Sequence, residues 1–158
     1  MYKKILVPMD GSKLAECVLD HVRAIATGCD VPEVVLFNVT TAMPPDWYAN
    51  VAPVEDMAAI GKAEEGYQTW MKGYLGKMES SLKQDGITAE SVLVKGNAAE
   101  NILDYTEKNG VDLIIMSTHG RSGPARWFMG SVADRVVRHS TVPVLIISPP
   151  GCKPGKGA

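Results

Sequence analysis

Short apolar runs alternate with helix-spaced stripes along this chain, and that alternation restricts its fold more than any other feature. Lys4 to Met9, Val34 to Val39, Ser91 to Lys95, Leu113 to Met116 and Val142 to Ile147 are each of strand length. Between the first two, a stripe of Leu14, Cys17, Val18, His21, Val22 and Ile25 has the spacing of one helix face. A longer stripe runs through Met57, Ile60, Tyr67, Met71, Tyr74, Met78 and Leu82, and further helices are predicted over Ala98 to Lys108 and Ser131 to Arg138. The central runs lack clean polar alternation, so both their faces should be covered, as in a parallel sheet. Strand and helix in strict succession then predict right-handed crossovers and a three-layer α/β/α, Rossmann-like fold.

Punctuation residues refine the pattern. Asp10-Gly11-Ser12 supplies a turn and a helix N-cap, and Asn109-Gly110 closes a later helix with glycine after the cap. Four glycines (Gly61, Gly66, Gly73, Gly76) interrupt the stripe between Val54 and Gln84. Each costs roughly 1 kcal/mol against alanine, which predicts a broken or frayed helix there. Thr40 to Pro53 has no period and reads as a long loop, and Pro143 bars a central ladder position at the start of the last strand. Residues 1–148 read as one domain and 149–158, rich in glycine, proline and lysine, as a flexible C-terminal tail.

Bulk properties exclude several classes. A net charge of -2 and a pI near 5.9 give no basis for binding nucleic acid or an acidic membrane. No run approaches the roughly 18 apolar residues that a membrane span requires, and the chain enters a strand at once without a leader-like apolar segment. These points imply a cytoplasmic protein. Cys17, Cys29 and Cys152 form no CxxC or zinc-like spacing, which argues for a reducing compartment and against a disulfide framework.

Ligands of open parallel sheets bind outside the carboxyl ends of the strands, near the switch point. Three segments would converge there: Pro8 to Ser12, the end of the second strand near Val39, and Ser117 to Ser131. The last is a buried run that breaks into a small-residue loop carrying Arg121 and Arg126, then opens a helix at Gly130-Ser131. Backbone N–H groups and a helix N-terminus make such a junction a natural anion site, and arginine suits phosphate oxygens. The specific phosphate motifs are absent: there is no Walker A stretch, and DGS stands where a Rossmann glycine fingerprint would follow the first strand. A phospho-acceptor domain would need clustered acids at the strand ends, where only Asp10 is found.

ILVPMDGS, the NV that ends the second strand, and STHGRSGPARWFMGSV together resemble the nucleotide-binding form of the universal stress proteins. The resemblance covers nearly the whole chain, about Met1 to Ser148. That form carries G-x-x-G, nine residues, then G-[ST]. Gly120, the nine residues Arg121 to Met129, and Gly130-Ser131 fit, while Ser117 stands where the first glycine would be. The resemblance implies a five-stranded parallel sheet of order 3-2-1-4-5 and a site for ATP, AMP or ADP. Pro8, Met9 and Asp10 would lie beside the adenosine, and Val39 would meet the adenine edge through its backbone. Met116, Ser117, His119, Gly120, Arg121 and Ser122, with Gly130, Ser131 and Val132, would hold ribose and phosphates. Mg²⁺ would accompany the phosphates, with no acidic cluster of its own. The resemblance also implies a homodimer through the edge strand Val142–Ile147.

Each residue has a plainer reading. Asp10 serves equally well as a helix cap, and isolated glycines more often mark tight turns. His119 has no nucleophile or orienting partner in the sequence, which favours a local hydrogen bond over catalysis. His21 and His139 read as structural, and Trp127 and Phe128 as packing. Three functions stay in play: a regulatory module binding an adenine nucleotide with little or no turnover, an interaction protein of the same fold without nucleotide, and a nucleotide-processing enzyme using Asp10 and His119.

Overall fold

The computed structural model describes residues 1–40, 57–118 and 129–148. In chain order these form β1 (Lys4–Pro8), α1 (Lys13–Glu16), α2 (Val18–Gly28), β2 (Glu33–Thr40), α3 (Met57–Gln84), β3 (Ala89–Lys95), α4 (Ala98–Lys108), β4 (Leu113–Ser117), α5 (Ser131–His139) and β5 (Val144–Ile147). All four pairings are parallel, and the strand order is β3-β2-β1-β4-β5. The predicted fold class and order are both observed.

Two apolar layers hold the sheet between its helices. Ile5, Val7, Val34, Leu36 and Ile115 pack with Val18 and Val22 of α2 and with Met71, Leu75 and Leu82 of α3. From the opposite faces of the same strands, Leu6, Val35, Phe37 and Ile114 pack against Ala99 and Ile102 of α4 and Ala133 and Val136 of α5. Side chains alternate across a strand, so an unbroken apolar run supplies both layers at once. At the opposite end of the sheet from the strand carboxyl ends, the Asp112 carboxylate accepts the backbone N–H groups of Lys3 (2.7 Å) and Lys4 (3.2 Å), tying the start of β1 to that of β4.

Several expectations need correction. The helix predicted from Leu14 onward is two helices, with Cys17 closing the four-residue α1 and preceding α2. The glycine-interrupted stripe is one continuous 28-residue helix, because Tyr67, Met71, Leu75 and Leu82 bury its inner face. Packing of an amphipathic face outweighs propensity. The last strand begins at Val144, not Val142: Pro143 has no N–H to give the ladder, and its carbonyl accepts from Ile114 at 3.0 Å just outside it. Cys17 is held in a disulfide and Cys29 is a free thiol, so unpaired spacing in the sequence was no guide to pairing, and the cysteine argument for a reducing compartment falls. No helix among the described residues is long and apolar enough to cross a membrane. Thr40 to Pro53, apart from Thr40 itself, and the tail from 149 lie outside the described residues.

Candidate functional site

The strand order makes the gap between β1 and β4 the switch point, since β2 and β3 extend from one side of β1 and β4 and β5 from the other. The β1–β2 ladder runs to Pro8–Phe37, whereas the β1–β4 ladder pairs only Ile5–Leu113 and Leu6–Ile114. Beyond those pairs the two strands part toward their carboxyl ends. That opening is bordered by the turn after β1 on one side and by Ser117 and Thr118 on the other.

The β1 side is tightly specified. Met9 N–H donates to the Phe37 carbonyl at 2.8 Å, and the buried Asn38 donates its Nδ2 to the Met9 carbonyl at 2.7 Å. Both backbone groups of Met9 are therefore fixed by the end of β2. Next, Asp10 Oδ1 accepts the Ser12 N–H at 2.9 Å, and Ser12 Oγ accepts the Ala15 N–H at 3.1 Å. Ser12 is the N-cap of α1, not Asp10. The Asp10 carboxylate makes an Asx turn with one oxygen, and Oδ2 takes no hydrogen bond among the described residues. Gly11, with φ +82°, supplies the left-handed step that this turn requires.

On the β4 side the Gly130 N–H donates to the Thr118 carbonyl at 2.7 Å, and the Thr118 N–H to the Ile147 carbonyl at 3.1 Å. The chain thus leaves β4 and re-enters α5 at one point. Gly130 is the N-cap of α5 and brings no side-chain cap; the first helical bond there is Asp134 N–H to the Gly130 carbonyl, 2.9 Å. The N–H groups of Ser131, Val132 and Ala133 precede that bond and are the orphan donors of a helix N-terminus. With the helix dipole, they favour an anion.

The structure brings Pro8, Met9, Asp10, Ser117, Gly130, Ser131 and Val132 to one end of the sheet, with Val39 near the end of β2. Met9 and Met116 are buried in opposite apolar layers, which turns both side chains away from the opening, and the Met9 N–H and carbonyl are already bonded to β2. Gly130 N–H is already taken by Thr118, which removes it from the phosphate donors the motif suggested. His119, Gly120, Arg121 and Ser122 lie outside the described residues. Asn38, which holds the Met9 carbonyl at this end of the sheet, was not singled out from the sequence; its signal there is an amide in an otherwise apolar run. Among the described residues no group of three His, Cys, Asp or Glu side chains is placed to hold a metal ion.

A doubly wound parallel sheet with the Asp10 turn and the α5 N-terminus at its switch point defines a Rossmann-like α/β domain. Its sequence matches the universal stress protein family over residues 1–148, and the chain belongs to that family. Universal stress protein MJ0577 of Methanocaldococcus jannaschii is 33% identical over 155 residues, covering 93% of this chain and 95% of that protein. Its solved structure superposes with a TM-score of 0.76 at 31% identity, covering 94% of this chain and 96% of that one. Two more distant structures share the fold: a universal stress protein in complex with cAMP (TM-score 0.64, 20% identity, 93% and 97% covered) and an Arabidopsis thaliana family protein with AMP bound (0.61, 16%, 92% and 91%).

Proposed function

We propose that this chain is a regulatory module that binds ATP or a related adenine nucleotide at the carboxyl ends of β1, β2 and β4, with little or no turnover. The observation that carries the reading is the α5 N-terminus, whose Ser131, Val132 and Ala133 N–H groups open without a side-chain cap beside the parted ends of β1 and β4. Phosphates would occupy that N-terminus together with the loop from Ser117 to Ser122. Asp10, whose Oδ2 takes no hydrogen bond among the described residues, would accept from ribose hydroxyls beside Pro8, and the Val39 backbone would meet the adenine edge. Mg²⁺ would be held by the phosphates themselves, since no carboxylate cluster is on hand among the described residues. Two proteins of the family fold are known with adenine nucleotides, AMP in one and cAMP in the other, which supports the ligand class. The reading includes a homodimer through the β5 edge.

Denaturing the purified protein and identifying what it releases tests this directly. Copurified ATP, ADP or AMP is the expected result, together with a melting temperature that rises with added nucleotide by mass action. An empty protein whose melting temperature ignores every adenine nucleotide would instead favour an interaction protein of the same fold. Steady phosphate release well above background would move the reading to an enzyme.

A further inference from the structure

The turn that carries Asp10 is braced from outside the site by an aromatic ladder on α3. Tyr67, Trp70 and Tyr74 follow one another along that helix with ring centroids 5.9 Å and 5.6 Å apart and interplanar angles of 25° and 19°. The benzo edge of Trp70 lies on Gly11. A Cβ built there would come within 2.8 Å of Trp70 Cη2, 3.0 Å of Cζ3 and 3.3 Å of Met71 Cε. Gly11 is thus glycine for two reasons, its φ of +82° and this contact. Tyr67 and Met71 are buried, and they anchor the helix segment that presents the indole. Trp70 itself keeps 39% of its surface exposed, a large exposure for a tryptophan packed on backbone. Beside it the Tyr74 hydroxyl is buried, with the carboxylates of Glu16 and Asp10 as its charged neighbours. Burial, then the charges of Glu16 and Asp10, hold that phenol above its ordinary range and neutral.

We infer that Trp70 is a positioning residue for ligand binding: by closing on Gly11 it holds the Asp10–Gly11–Ser12 turn in the form that presents the Asp10 carboxylate. The turn's own bonds do not suffice for this. Asp10 Oδ1 to Ser12 N–H and the φ of Gly11 define a local shape, but glycine permits many others. The indole edge, with Met71 Cε, fills the space on the Cβ side of Gly11 and packs the turn against α3. Met9 is fixed by β2 on one side of Asp10 and Gly11 by α3 on the other, so the carboxylate is preorganised from both directions. This inference rests on the nucleotide reading above, with Asp10 as a ligand contact.

The test uses the full-length protein with Trp47 and Trp127 changed to phenylalanine, so that Trp70 is the sole tryptophan. ATP binding is measured independently by equilibrium dialysis. Trp70 emission should change saturably with ATP, at the midpoint found by dialysis. In the parent sequence Trp70→Ala should raise the ATP dissociation constant at least fivefold while unfolding stays cooperative, and Trp70→Phe should restore most of the loss. ATP that binds by dialysis without moving the emission, or that binds Trp70→Ala as tightly as the parent, overturns the inference and leaves the nucleotide reading intact. A parent that binds no adenine nucleotide by dialysis overturns both. The emission titration needs no change at position 70, so it decides the matter even if Trp70→Ala does not fold.

Discussion

The Thr118 carbonyl accepts the Gly130 N–H at 2.7 Å, so the loop between them begins and ends at one hydrogen bond at the mouth of the switch point. Closure of this kind fixes the entry angle of α5 whatever the intervening residues do. It also spends the Gly130 donor on the protein, so the N–H groups without an i−4 partner in α5 are the next three.

Gly130 has φ -57° and ψ 151°, a conformation open to any residue. Its lack of a side chain is therefore not demanded by the backbone. Gly130→Val should cost about 1 kcal/mol of stability or less, the difference between a glycine and a valine cap. Nucleotide affinity should nevertheless fall tenfold or more, because the branched side chain would fill the space over the phosphates. Isothermal titration alongside chemical denaturation separates the two effects. Unchanged affinity would remove Gly130 from the site.

Asp10→Ala and Asn38→Ala should part company. Removing the Asp10 carboxylate frees one turn N–H near the surface, so stability should change by about 1 kcal/mol while nucleotide binding weakens severalfold. Removing the Asn38 amide strands the Met9 carbonyl in the interior and should cost about 1–3 kcal/mol, with affinity falling as a consequence of the loosened β1 end. Urea unfolding paired with nucleotide titration would show whether both fall into these separate patterns. Ser117→Gly should be neutral or slightly tightening; a strong loss would make the serine hydroxyl itself a contact.

The fold was legible from the sequence because β1 and β2 are buried on both faces and so are apolar without interruption. Boundaries were less so. The α1–α2 break at Cys17 leaves the helical spacing of Val18, Val22 and Ala26 intact, so no periodicity reveals it. The glycines of α3 gave the opposite error: Gly61, Gly73 and Gly76 face open space, where a missing side chain costs the helix no packing. In the site, the ambiguity over Asp10 could not be resolved by spacing, since Asp10 and Ser12 are both capping types two residues apart. Trp70 on Gly11 joins positions 59 apart through tertiary packing alone.

Glu79 sets an acid limit on the α3–β3 contact. Its carboxylate accepts from Lys83 Nζ and from Ser91 Oγ, the latter at 2.7 Å, and these bonds, Lys83 first, hold its pKa below the ordinary glutamate value. A carboxyl that binds its proton less readily when folded stabilises the fold above its unfolded pKa. That contribution is lost as pH falls through the folded value. Between about pH 5 and pH 3 the parent should lose more stability than Glu79→Gln, which cannot titrate. Parallel denaturation curves across that range would check it, and identical pH slopes for the two proteins would refute the assignment.

The proposed dimer rests on the edge of the sheet. β5 is the last strand in the order, and Val144, Leu145 and Ile146 are only partly buried although all are apolar. An edge of this kind, unprotected by charge, invites pairing with another strand. A second copy of β5, antiparallel about a two-fold axis, would cover that edge and would close on itself as a dimer. Leu145→Lys is the informative variant, because its side chain is half-buried and can reach solvent once the partner is gone. Ile147 is only 6% exposed and belongs to the core, so a lysine there should unfold the domain and says nothing of assembly. Sedimentation at tens of micromolar should find a dimer for the parent and a folded monomer for Leu145→Lys. A parent that sediments as a monomer at that concentration would defeat the proposal.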